Sequence, residues 1–285
     1  MKNHTYIIKE LMLSLFFISL SLVFISCEDV IEIELTGVDP AIVIEAGISD
    51  DGSVSSAIIT KSTDFFEPGV YEKVSNAIVV INDDDGNSYQ MMEVDDGEYQ
   101  TDLITGQSGS TYSIEVNAEG QIYNAESSMP IKIVLDSLSL ELAPDRPNQE
   151  EGEERYFLHI YFKDPPEIDN YCRFKITVEE ELLTGFIIYE DKFTDGNDID
   201  VRIILDNKEL DLNIGDLIEV DLLSIDKAAF DFYNTANSVN TAGSSGRGSS
   251  STSAAPTNPV TNWNNKALGF FSAYTVSQDS IIFEK

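Results

Sequence analysis

Between residues 41 and 130, apolar and polar positions alternate in short runs separated by turn-forming residues, the pattern of half-buried strands. The alternation predicts strands at 41–48, 54–61, 77–82, 87–93, 98–101, 111–118 and 121–129. The connections carry Asp50-Asp51-Gly52, Asp84-Asp85-Gly86, Asp95-Asp96-Gly97 and Glu119-Gly120. Glycine supplies the positive φ that a tight hairpin needs, and aspartate bonds its own backbone there. Seven strands in about 90 residues predict an immunoglobulin-like or transthyretin-like sandwich over 41–130, with Pro130 at its boundary.

The pattern continues, less cleanly, through residues 131–285. Strands are expected at 133–142, 155–163, 170–178, 184–189, 201–205, 217–224, 267–276 and 280–283, and Asp164-Pro165-Pro166 ends one of them because proline cannot continue a ladder. Only 227–237 has helical character. Asp226 is placed to cap it, Phe230 and Tyr233 share a face at i, i+3, and three alanines favour the state. From 238 to 261 the composition turns to Ser, Gly, Ala, Thr and Asn with Arg247 the only charge, so this stretch is expected to be a flexible loop. The expected fold class is all-β: a sandwich domain, then a second β-rich domain over 131–285 with one short helix.

Residues 1–26 read as a secretory signal, with Lys2 and Lys9 ahead of an apolar run from Leu11 to Ile25. That run is shorter than the roughly 20 residues needed to span a bilayer as a helix. Phe24-Ile25-Ser26-Cys27 resembles the lipobox of bacterial lipoproteins, with Phe24 in place of the usual Leu. The resemblance implies cleavage before Cys27 and acylation of Cys27, which would anchor the chain in a lipid bilayer. Each buried methylene contributes about 0.8 kcal/mol, so two or three acyl chains hold where one is marginal. Residues 27–40 form an acidic tether, and Glu28-Asp29 resembles the signal by which Bacteroidota lipoproteins reach the outer face of the outer membrane.

Composition narrows the chemistry. With 17 Lys+Arg against 51 Asp+Glu, the formal charge is −34, which repels phosphate backbones and excludes nucleic acid as a partner. There are two histidines: His4 leaves with the signal, and His159 shares a strand face with Phe157 and Tyr161, the place of a structural histidine. Cys172 lies in a predicted strand and reads as a buried free thiol. Motifs for a nucleophile elbow, a phosphate loop, a zinc protease or a dinucleotide site are absent. Asp83-Asp84-Asp85-Gly86-Asn87 and Asp195-Gly196-Asn197-Asp198 have the oxygen ligands calcium prefers, but neither fits the EF-hand loop. Both read as hairpin turns, and no metal, cofactor or catalytic residue is assigned.

Several segments in order resemble an uncharacterised Bacteroidota outer-membrane lipoprotein family, the domain-of-unknown-function family 4249. They are Cys27-Glu28-Asp29-Val30-Ile31, Ile42-Val43-Ile44-Glu45-Ala46, Ala77-Ile78-Val79-Val80 with Asp83-Asp84-Asp85-Gly86, Gly97-Glu98-Tyr99, and Leu268-Gly269-Phe270-Phe271. The resemblance implies an outer-membrane lipoprotein, often encoded beside a TonB-dependent receptor, with no catalytic residues assigned. The expected function is therefore a non-catalytic accessory binding or lid subunit of a TonB-dependent receptor, facing the cell surface. The alternative is a stand-alone surface adhesin or structural module. Trp263, Phe270, Phe271 and Tyr274, beside the 238–261 loop, are the candidate partner-binding residues, since aromatics dominate binding hot spots.

Overall fold

A computed structural model describes residues 40–63, 71–146, 154–206, 210, 212–243 and 258–284. The predicted signal, Cys27, nearly all of the tether and the middle of the 238–261 stretch lie outside the described residues. From Asp39 onward the chain is one compact unit.

The first seven strands form close to where the alternation puts them: β1 (Ile42–Ser49), β2 (Ser55–Lys61), β3 (Ile78–Asn82), β4 (Ser88–Asp95), β5 (Glu98–Thr101), β6 (Thr111–Ala118) and β7 (Gln121–Ser128). Then follow β8 (Leu135–Leu142), β9 (Arg155–Lys163), β10 (Tyr171–Val178), β11 (Glu181–Leu182), β12 (Ile187–Glu190), β13 (Asp198–Asp206), β14 (Leu217–Ile225), α1 (Lys227–Gly243) and β15 (Leu268–Ile282). The fold is mostly β, with one named helix among the described residues. The glycine turns behave as the sequence requires: Glu119 and Gly120 both take positive φ, 50° and 78°, in the two-residue β6–β7 hairpin.

A large mixed sheet runs β11-β10-β14-β15-β1-β2-β5-β4-β3-β6-β7, with β12 also on β10, and a small sheet runs β13-β9-β8. One strand holds the large sheet together. The two C-terminal strands expected from sequence are a single strand, β15, that changes partner midway. Leu268–Tyr274 pairs parallel with β1, and Thr275–Ile282 pairs antiparallel with β14. A core around β1–β7 therefore includes Trp263, Ala267, Phe271 and Ala273 from the end of the chain. A second core lies between the small sheet and β10/β14, built on Leu158, Ile160, Phe162, Phe174, Val220 and Leu222.

The Asn-rich run before β15 works as a substitute backbone. Asn262 donates to the carbonyls of Phe271 (2.8 Å) and Glu126 (3.0 Å) and accepts from the Phe271 N–H (3.0 Å). Asn264 exchanges bonds with the Asn124 backbone, accepting through Oδ1 at 2.8 Å and donating its N–H at 3.0 Å. These contacts occupy part of β7, the terminal strand of the large sheet, whose edge would otherwise present unpaired amides.

Asp226 caps α1 as expected: its Oδ1 accepts from the Ala229 N–H at 2.8 Å. Its Oδ2 also accepts from Ser127 Oγ at 2.7 Å, and the same Ser127 Oγ accepts the Ala273 N–H at 2.9 Å. One carboxylate thus fixes the helix start against β7 and β15. The helix runs to Gly243, six residues beyond the sequence-based end.

Candidate functional site

Strand periodicity assembles the site. In β10, Cys172, Phe174, Ile176 and Val178 point into the second core, which puts Arg173 and Lys175 on the opposite face. In β15, Phe271 and Ala273 enter the first core, which turns Phe270, Ser272 and Tyr274 to that same opposite face. Register continues the surface across β14 through Leu223 and Ile225, and across β1 through Glu45 and Gly47, which pair with Phe270 and Ser272. Above this floor stand Phe232 and Tyr233 of α1, with Phe186 from the segment leading into β12. The cleft is open to solvent on one side and has a volume of about 290 Å³.

Arg173 is held as a flat cation. Its guanidinium carbon lies 4.3 Å from the Tyr233 ring centroid and 4.9 Å from that of Phe186, and Nη1 donates to Tyr233 Oη at 2.8 Å. Nε is buried and has no hydrogen-bond partner among the described residues; the Ser272 hydroxyl is in the same position. Gly47 opens the floor, since a Cβ there would sit 3.3 Å from the Tyr274 ring.

Lys175 stands 5.9 Å from the Tyr274 centroid and directly opposes Asp221 across the β10–β14 ladder. Burial holds the Lys175 amine below its ordinary value, and repulsion from Arg173 adds to this. Burial likewise pushes the Asp221 carboxyl up, against the pull of Lys175. Both shifts disfavour the charged forms, so desolvation outweighs the attraction between the two groups. An anion entering the cleft would stabilise charged Lys175. Glu45, at the far end of the floor, favours a hydrogen-bond donor on the same ligand. The arrangement suits a small ligand with a planar apolar face and an anionic group.

The sequence-predicted residues separate into two pairs. Trp263 and Phe271 are core: Trp263 is 5% exposed and its Nε1–H donates to the Ile44 carbonyl at 3.0 Å, and Phe271 is 0% exposed. Phe270 is as buried as Trp263, at 5%, in a third core with Leu223, Ile225 and Ala229, and Tyr274 is partly buried against it. Phe270 and Tyr274 line the cleft, and Phe270 stacks on Phe232 with centroids 5.2 Å apart. Sequence reasoning missed Arg173 and Lys175. Their signal was two cations at alternate positions of a strong strand, in a chain with few cations, but an ordinary solvated face looks the same.

His159 stacks on Tyr161 (5.8 Å) and its Nδ1 lies 2.9 Å from Asp200 Oδ1; Nε2 is 3.3 Å from Glu141 Oε2 but outside hydrogen-bond geometry. It sits on the outer face of the small sheet, whereas Cys172 is fully buried in the second core, so the two form no nucleophile pair. Burial pushes the Cys172 thiol far up. Iodoacetamide at pH 8 should leave the Cys172 peptide unlabelled in native protein and label it in denaturant, as mass spectrometry would read directly. In the 83–87 turn, Asp83 is occupied locally, accepting from the Asn87 N–H (2.8 Å) and Asn87 Nδ2 (2.9 Å).

Residues 28–280 match the family described as Domain of unknown function (DUF4249). The chain belongs to this family. The match spans both halves of the large sheet and the Arg173/Tyr274 cleft, so the cleft lies within the family domain. No curated protein matches the chain.

Proposed function

We propose that this DUF4249 chain is a surface-exposed outer-membrane lipoprotein, anchored through acylated Cys27, that serves as a non-catalytic accessory binding or lid subunit of a TonB-dependent receptor. The anchor and the receptor rest on the lipobox-like Phe24-Ile25-Ser26-Cys27, the acidic Glu28-Asp29 and the family resemblance. The binding role is supported by one structural observation: a cleft with an aromatic-clamped arginine that retains an unpartnered, buried N–H. Ligand sites are concave and mostly apolar, with a few convergent polar groups. β1–β7, completed by β15, are read as an immunoglobulin-like or transthyretin-like sandwich carrying one side of that cleft.

Two experiments address the reading. Cys27→Ala should move the chain from the membrane fraction to the soluble fraction, because the acyl chains supply the anchoring energy; full membrane retention would contradict lipidation. Deletion of the gene should slow uptake of the nutrient served by the receptor encoded beside it. Unchanged uptake would favour the stand-alone adhesin.

A further inference from the structure

The turn before β13, which the sequence presents as Asp195-Gly196-Asn197-Asp198, is folded against the loop that follows β9 and against the end of β12. Asp164 follows β9 directly, Asp191 follows β12, and Asp195 lies in the turn. Each brings one carboxylate oxygen to within 4.8 Å of the other two. Asp164 is 0% exposed, Asp191 is 6% exposed and Asp195 faces solvent.

Backbone bonds hold the three in place. The Asp164 N–H donates to the Asn197 carbonyl (3.0 Å), and the Gly196 N–H donates to Asp164 Oδ2 (2.9 Å). The Asp191 N–H donates to the Asn170 carbonyl (3.2 Å), and the Glu167 N–H donates to Asp195 Oδ1 (2.7 Å). Asp164 Oδ1 is left over: it is buried and has no hydrogen-bond partner. Among the described residues none of the three carboxylates pairs with a Lys, Arg or His.

A buried carboxylate with one oxygen left unpartnered is destabilising, and two more carboxylates beside it add repulsion. Burial, with Asp191 and Asp195, pushes the Asp164 carboxyl up. The arrangement is poor as an internal hydrogen-bond network and well matched to a hard divalent cation. Oxygens on opposite sides of a calcium ion are separated by about twice the metal–oxygen distance of roughly 2.3–2.6 Å, the scale of this cluster. Asp195 leaves the outer side open to water, which calcium accepts as a ligand and which its flexible coordination tolerates better than the strict octahedron of magnesium.

We propose that Asp164, Asp191 and Asp195 bind a calcium ion that pins the β9 and β12 ends to the start of β13. The site is independent of the Arg173 cleft and of how the chain is anchored.

The test uses the full purified chain, treated with EDTA, dialysed and melted at increasing CaCl2. Calcium at about 100-fold above Kd should raise the Tm by roughly 5–10 °C through preferential binding to the native state. Asp164→Asn should abolish the rise, yet melt no lower than wild type in EDTA, since the amide removes an uncompensated buried charge. Asp195→Asn, at an exposed position, should keep the fold and require at least about tenfold more calcium for the same rise. The proposal is overturned if wild type shows neither a Tm rise nor a heat of binding up to about 10 mM calcium, beyond the range of extracellular modules. It is also overturned if the rise persists unchanged in both variants, or if MgCl2 at equal concentration produces as large a rise.

Discussion

Replacing Trp263 by Ala should cost about 3–5 kcal/mol, the loss expected for a buried tryptophan, and lower the Tm by roughly 10 °C or more. The indole is in the first core with Ile44, Phe271 and Ala273, so its removal leaves a void that rigid strands cannot fill. It also removes the 3.0 Å bond from Nε1 to the Ile44 carbonyl, 219 residues earlier in the chain. Trp263→Phe separates the two effects: it keeps much of the apolar volume and loses the N–H, for about 1–3 kcal/mol. Equal stability of wild type and Trp263→Ala in a urea melt would show that the C-terminal segment does not build this core. The same packing predicts that a fragment of residues 41–130, lacking Trp263, Ala267, Phe271 and Ala273, melts far below the whole chain or does not fold.

Gly269→Ala should be comparably severe. Gly269 has φ +86°, and a Cβ there would stand 2.2 Å from the Ile44 carbonyl oxygen and 2.7 Å from its carbon. Both are backbone atoms in the β1–β15 ladder, where Ile44 pairs with Gly269 itself, so neither can move aside alone. Left-handed strain of about 1–2 kcal/mol and overpacking of about 1–3 kcal/mol combine to roughly 2–5 kcal/mol. Gly120→Ala supplies the control. Its φ is +78° with nothing within 4 Å of the added Cβ, so only the strain of about 1–2 kcal/mol applies. If the two variants melted at the same temperature, the close approach of β15 to β1 would be wrong.

Both predictions turn on β15, which is the part of the fold least visible in the sequence. The hairpins within β1–β7 were legible because side chains alternate with period two and because Asp-Gly marks the β1–β2, β3–β4 and β4–β5 reversals and Glu-Gly the β6–β7 reversal. The parallel pairing of β15 with β1 joins residues more than 200 positions apart and leaves no local trace. Its continuity was hidden by Ser277-Gln278-Asp279, polar residues that read as a break. Those residues lie where β15 pairs only with β14 and shows alternating half-exposed positions, so polar side chains are tolerated there. β11, two residues long, is too short for any periodicity.

The site was half legible for a related reason. Aromatic residues mark both cores and binding surfaces, and the sequence could not assign neighbours on β15 to opposite faces without knowing which face was covered. Once it is known that Phe271 and Ala273 fill a core, Phe270 and Tyr274 must face the cleft. Arg173 and Lys175 become informative only when β10 is placed beside β14 and β15 under α1, where burial turns two strand cations into a clamped pair.

The central claim, an accessory subunit working beside a TonB-dependent receptor, is tested most directly by affinity purification of the full-length chain from native outer membranes. The wild-type chain should recover a TonB-dependent barrel in near-stoichiometric amount. Purification that repeatedly yields the wild-type chain from intact outer membranes with no barrel would contradict the account.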